Sequence, residues 1–313
     1  MPISHRLLAV AVAVMWGLNF IAIDASLAQF PPFLLVALRF AIIAVPTVLF
    51  VPRPRVPVRW LLGYGIGFGT LQFLFLYWGM AVGMPAGLAS LVLQSSAPFT
   101  VLLGAVAFRD RVSPRQLVGL GVATLGLALV GWSQAQAAAL APFLLVLAGG
   151  FGWAIGNVSN ARAKAPNPLH LTLWMSVVPP LPMALLSVIV EGPHAMGAAF
   201  AAGPHLVPAL LGLAYTVLIG TLAGSGVWTW LMARHAAGVV APFSMLVPVV
   251  GLSASAVLLG ERVEPPTVLG AALVIGGVLW GALRKARPGA PRRSGTDGNL
   301  PGRDRAAVVG AGP

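Results

Sequence analysis

Ten apolar stretches, separated by short polar breaks, fill most of the chain ahead of a polar C-terminal tail. They run Leu7–Ile23, Phe33–Val51, Trp60–Val82, Gly87–Phe108, Leu117–Trp132, Leu140–Asn160, Leu169–Val190, Leu206–Met232, Val239–Leu259 and Val268–Leu283. Most approach the roughly 20 residues that a helix needs to cross about 30 Å of hydrocarbon. A helix satisfies its own backbone in lipid, so the pattern predicts an all-α polytopic membrane protein of ten transmembrane helices, not a barrel. The frequent glycines and prolines fit, because membrane helices accept both better than soluble helices do.

The pattern also repeats. Shifted by 151 residues without a gap, Leu62–Val130 falls on Leu213–Gly281. Tyr64, Gly69, Thr70 and Leu71 meet Tyr215, Gly220, Thr221 and Leu222, and Ala86-Gly87 meets Ala237-Gly238. Asp110-Arg111-Val112 meets Glu261-Arg262-Val263, a charged patch that reads as a turn anchor with local ion pairs. The earlier helices follow at another offset, with Trp16-Gly17-Leu18-Asn19 over Trp153-Ala154-Ile155-Gly156-Asn157 and Pro46 near Pro182. The unit is thus five helices, 7–132 and then 140–283, and an odd number of spans turns the second copy upside down. Gly119 and Gly126, like Gly270 and Gly277, share one helix face and mark the fifth and tenth helices as packing elements. That packing is either within the chain or between subunits, so monomer and homodimer are both open. Gly63, Gly65, Gly67 and Gly69 thin the third helix, for close packing or for a flexible gate.

Composition narrows the class. Charged residues are 8% and apolar residues 58% of the chain, against roughly a quarter charged in soluble domains. The net charge of +12 is explained by topology, which makes nucleic acid a poor reading. With the N terminus inside, all of the 19 basic residues except Arg39 and Arg262 fall on the inner side. This is the positive-inside asymmetry, with both termini in the cytoplasm. Arg262 is the copy of Arg111, so the one misplaced cation is what an inverted duplication leaves behind. There is no cysteine, which excludes disulfides, thiolate metal sites and cysteine nucleophiles. His5-Arg6 before an apolar run, then Ser26-Leu27-Ala28, imitates a signal peptide, but the matching segment Leu140–Asn160 makes the first stretch a retained helix. The tail, 284–313, is rich in Pro, Gly and Arg and is expected to be disordered and cytoplasmic.

Three motifs bring a family into view. Trp16-Gly17-Leu18-Asn19-Phe20, Gly83-Met84-Pro85-Ala86-Gly87-Leu88-Ala89-Ser90-Leu91-Val92-Leu93-Gln94, and Val247-Pro248-Val249-Val250-Gly251-Leu252 followed by Gly260-Glu261-Arg262 resemble the EamA family of the drug/metabolite transporter superfamily. The likeness spans about Leu7–Leu283. It implies two inverted five-helix repeats around a cavity lined by helices 1, 3, 4, 6, 8 and 9. It further implies export of small amino-acid metabolites, of the O-acetylserine/cysteine type, across the bacterial inner membrane. Members often carry Lys at the end of helix 1, where this chain has Asp24, a reversal of charge beside the outer mouth. The family's frequent Leu-Arg-Phe, here Leu38-Arg39-Phe40, favours a structural role for the arginine.

Polar side chains inside lipid are costly unless they face a cavity or a partner. Asn19 and Asn157, near the middles of helices 1 and 6, are candidate ligand contacts or interhelical ties. Gln72 and Gln94 have apolar repeat partners, Ala223 and Met245, and one-sided polarity points to substrate over symmetric packing. Trp16, Trp153, Tyr64, Tyr215 and Ser244 are weaker candidates, each equally suited to packing or to its own helix backbone. Trp60, Trp132 and Trp280 belong to the interfacial belt. Arg39 is the one full charge well inside a span; an ion pair with Asp24, ordering the outer mouth, is expected. Pro98 and Pro248 each remove a backbone hydrogen bond, which makes the 3–4 and 8–9 hairpins candidate gates.

No P-loop motif is present, so the chain does not itself use ATP in that way; a secondary carrier is expected, with no cofactor and no metal. All five histidines lie in or beside loops, and neither Gly-x-Ser-x-Gly nor His-Glu-x-x-His occurs, which disfavours an intramembrane enzyme. Export or import of other metabolites or drugs is the second carrier reading.

Overall fold

Ten long apolar helices form in the computed structural model, which describes residues 1–109, 112–136, 139–235 and 237–282. They are α1 (Ile3–Leu27), α2 (Pro32–Phe50), α3 (Val58–Ala81), α4 (Ala86–Phe108), α5 (Pro114–Gln136), α6 (Leu140–Ala163), α7 (Pro168–Ala198), α8 (Leu206–Arg234), α9 (Ala241–Leu258) and α10 (Pro265–Ala282). Every predicted stretch is a helix. Asp110, Arg111 and the tail, 284–313, lie outside the described residues, and with them the expected anchor in the first half. Local chemistry sets several helix starts. Ser113 and Gln116 exchange side-chain and backbone bonds of 3.3 and 2.9 Å at the head of α5, a capping box. The Asn167 side chain accepts from the Leu169 and His170 N–H groups at the head of α7. Arg109 and Gly260, one repeat apart, both end their helices at positive φ.

The surface is apolar. Phe50, Val106, Ile189 and Val257 are 78–81% exposed, which suits lipid as the surrounding solvent and no other. The inversion of the second half is visible in how α5 meets α10. A Cβ built on Gly126 would lie 2.7 Å from the Gly270 carbonyl, and one on Gly277 would lie 2.6 Å from the Gly119 carbonyl. The repeat exchanges Gly119 with Gly270 and Gly126 with Gly277, so it maps each contact onto the other. Only an antiparallel pair about a pseudo-twofold axis does this. The glycine stripe is therefore used within the chain.

Four helices depart from α geometry at repeat-related places. The π-helical turns Gly65–Leu71 in α3 and Thr216–Ala223 in α8 are one repeat apart. In each, a threonine hydroxyl reaches a carbonyl five residues back, Thr70 to Gly65 at 3.2 Å and Thr221 to Thr216 at 2.8 Å. The widened turn of α3 packs closely on α6 and α7: Cβ atoms on Gly67 and Gly69 would sit 2.5 Å from the Gly156 nitrogen and 2.6 Å from Pro179. This accounts for the thinning of α3 by close approach. In α4 and α9, 3₁₀ segments Leu93–Ser95 and Ala241–Met245 lie just ahead of Pro98 and Pro248. Proline has no N–H for the carbonyl four residues back and its ring crowds that carbonyl. The carbonyls so released belong to Gln94 and Ser244.

Candidate functional site

The four irregular segments converge on one cavity of about 510 Å³ between the halves. Irregular backbone is tolerated at membrane depth where it lines such a space. Asn19, Gln72, Gln94, Asn157, Trp16, Trp153, Tyr64 and Ser244 all contribute to its wall. Tyr215 does not; its hydroxyl donates to the Met15 carbonyl at 3.1 Å and ties α8 to α1. Helices α2 and α7 also reach the wall, through Arg39, Phe40, Thr172 and Met175, which widens the set of lining helices that the resemblance implied.

The polar side chains divide by how well they are satisfied. Asn157 donates to Thr100 at 3.1 Å, and Ser244 to the Ala241 carbonyl of its own turn at 2.7 Å. The Trp16 indole donates to the Gly220 carbonyl at 2.9 Å, while Trp153 packs edge-on against Phe68. Asn19 and Gln72, at 9% and 4% exposure, keep side-chain carbonyl oxygens without a partner. Buried orphan acceptors are costly, on the order of 1–3 kcal/mol each, unless something visits them.

Arg39 departs from expectation. The ion pair with Asp24 is not what its geometry shows: Asp24 is exposed on α1, whereas Arg39 is 4% exposed and turned into the cavity. Its Nη1 donates to the Tyr77 hydroxyl at 2.6 Å and its Nη2 to the Thr221 hydroxyl at 2.9 Å. The guanidinium carbon stands 4.1 Å from the centre of the Phe73 ring, a cation–π contact that supports the charge without neutralising it. Arg39 turns inward because Tyr77 on α3 and Thr221 on α8 offer buried acceptors near the helix middle. Tyr77, fully buried behind Arg39, is a residue the sequence reading missed; its repeat partner, Trp228, lines the cavity.

The cavity extends toward the end of the bundle that holds the N terminus, where Asn160, Thr172, Thr229 and Thr100 line it. The other end is held by two carboxylates acting on helix starts. Glu261 accepts from the Ala86 and Gly87 N–H groups of α4 at 2.7 and 3.0 Å. Glu191 accepts from the Phe33 and Leu34 N–H groups of α2 at 2.7 and 3.1 Å. Anions suit helix N-termini, where unpaired N–H groups and the helix dipole converge. At the open end, His5 Nδ1 and His235 Nε2 lie 2.7 Å apart. The His235 pKa is lowered by burial first, and then by His5, the N-terminal ammonium and Arg234. Among the described residues no cluster of side chains fit to hold a metal occurs.

Two antiparallel-related halves around a ligand-sized cavity in an apolar bundle form the architecture of a multi-pass membrane transporter. The chain belongs to the EamA-like transporter family, whose model matches residues 4–132 and 140–281. It is 42% identical over 87% of its length to a "Probable amino-acid metabolite efflux pump" of Salmonella typhimurium, 92% of which is covered. A protein of the same description from Escherichia coli is 41% identical, at 87% and 92% coverage. A "Probable terminal-alkyne amino-acid exporter" of Streptantibioticus cattleyicolor is 32% identical over 76% of this chain and 77% of its own. A solved crystal structure superposes with a TM-score of 0.60 at 19% identity, covering 89% of this chain and 96% of the other, and supports the fold.

Proposed function

We propose that the protein is a secondary exporter of small amino-acid metabolites, of the O-acetylserine/cysteine type, in the bacterial inner membrane. The observation that carries the reading is the 510 Å³ cavity with its unsatisfied polar wall, a volume suited to a small organic ligand. The two relatives described as amino-acid metabolite efflux pumps support the substrate class. The basic residues at the open end of the cavity support a cytoplasmic opening in this reading, with the substrate entering from the cell. Exchange of the open end for the closed end follows from the inverted halves, each able to adopt the other's arrangement. The helices α4 and α9, irregular just ahead of their prolines, are the moving parts in this reading, and Gln94 and Ser244 line the substrate path.

The test is counterflow of a panel of radiolabelled amino acids in proteoliposomes, with Gln94→Ala as a control. Exchange of O-acetylserine or cysteine, weakened in the control, is expected. Exchange confined to unrelated solutes would overturn the substrate class and leave the carrier intact.

A further inference from the structure

The strongest unexplained feature of the cavity is a buried cation with no counter-ion. Among the described residues Arg39 is the only charged side chain on the wall, and no Asp or Glu lines it. Of five guanidinium N–H donors, the two bonded ones serve neutral hydroxyls, and Nε–H has no partner. A full charge in this setting is expensive, and residues of this kind mark the path of a ligand or an ion.

A purely structural duty is argued against by the repeat. The register that sets Pro46 on Pro182 sets Arg39 on Met175, and the other register sets Thr221 on Thr70. Met175 occupies the matching place, its sulfur 3.2 Å from a Cβ built on Gly69. The π-helical turn of α3 forms there with the same threonine-to-carbonyl bond as in α8. The turn therefore needs no arginine. Arg39 joins Gln72 and Gln94 as a polar residue of the first half whose counterpart is apolar.

We infer that the cavity binds its ligand as an oriented zwitterion, with the carboxylate on Arg39 and the ammonium on the side-chain carbonyls of Asn19 and Gln72. This rests on the proposed export of amino-acid metabolites and deepens it. A guanidinium is a planar fork of donors that matches a carboxylate. The ammonium has only donors to offer, and the two partnerless buried oxygens on the described cavity wall, of Asn19 and Gln72, are acceptors. Asn19 Oδ1 lies 2.5 Å from a Cβ built on Gly220, the residue next to the Thr221 that holds Arg39. Gln72 adjoins Phe73, whose ring carries the guanidinium. The three groups thus line one cavity at a similar level of the bundle. The neutral amides leave the site with a single positive charge, so the carboxylate is the group bound most tightly.

The full chain in proteoliposomes is tested by competition of cysteine, cysteinamide and mercaptopropionate against labelled cysteine counterflow. The wild type should prefer cysteine over each analogue by roughly tenfold to a hundredfold. Arg39→Gln should lose the preference over cysteinamide and keep that over mercaptopropionate; Gln72→Leu should do the reverse. Equal weakening of all three competitors in Arg39→Gln would overturn the assignment in favour of a structural role, and so would unchanged preferences. Arg39→Lys, which keeps the charge without the fork, is the second variant should Arg39→Gln fail to fold, and its preference over cysteinamide should shrink. A wild type that exchanges no amino acid at all would instead refute the proposed function.

Discussion

Glu261→Gln is expected to loosen the closed end of the transporter. The wild-type carboxylate accepts the Ala86 N–H at 2.7 Å and the Gly87 N–H at 3.0 Å. Glutamine keeps one carbonyl acceptor and turns an amide donor toward the other N–H, so one charge-assisted bond is lost and the second loses its charge. Bonds to charged groups contribute about 1.5–3 kcal/mol, and the helix-end interaction adds a few tenths more. A net loss of about 2 kcal/mol shifts the equilibrium between closed and open forms roughly 30-fold. The natural chain has no cysteine, so Ser90→Cys, on the cavity wall one turn below the capped start of α4, is a background-free reporter. Its labelling by a membrane-impermeant maleimide from the outer side should accelerate about 30-fold in the Glu261→Gln background. Unchanged labelling, with both proteins folded, would refute the view that Glu261 holds this end shut.

Other consequences follow from the packing. Gly126→Ala places a methyl group 2.7 Å from the Gly270 carbonyl and should destabilise the fold by about 1–3 kcal/mol, read as a lower melting temperature in detergent. Gly121→Ala, with open space around it, should leave that temperature unchanged. Pro98→Ala supplies the N–H that proline lacks and should stabilise α4 by about 1 kcal/mol while slowing counterflow, since a regular helix resists the rearrangement proposed for α4. The His5–His235 contact needs at least one neutral ring. With the His235 pKa lowered, the contact should be complete above roughly pH 6.5 and lost as the pH falls through the folded value. Nitrogen-labelled histidine NMR checks this, and a His5–His235 signal persisting well below the lowered pKa would contradict it.

The legible part of this protein was whatever depends on sequence period and composition. Leu7–Ile23 or Val268–Leu283 can only be a span, because length and apolarity leave lipid as the sole partner. The duplication was equally open to reading, down to Gly119 and Gly270, since a ten-helix chain with an odd-numbered repeat has one way to match its halves. Gln72 and Gln94 were found by contrast with Ala223 and Met245. Tyr77 was not, because an aromatic that holds a buried charge and one that merely packs look the same in one dimension. Nor were the caps by Glu191 and Glu261, which join segments 157 and 175 residues or so apart.

Arg39 shows where that division falls. The sequence by itself determined that a cation sits inside α2 and that its counterpart is apolar. Along the chain the partner within its reach was Asp24, and sequence reasoning chose it. Only the tertiary structure turned it inward, because Tyr77 and Thr221 are brought beside it by α3 and α8 and supply hydroxyls where the bundle is driest. Helix existence depends on neighbours in sequence and on the solvent. Which buried charge meets which partner is set by long-range packing between halves, and that choice decides what the cavity can hold.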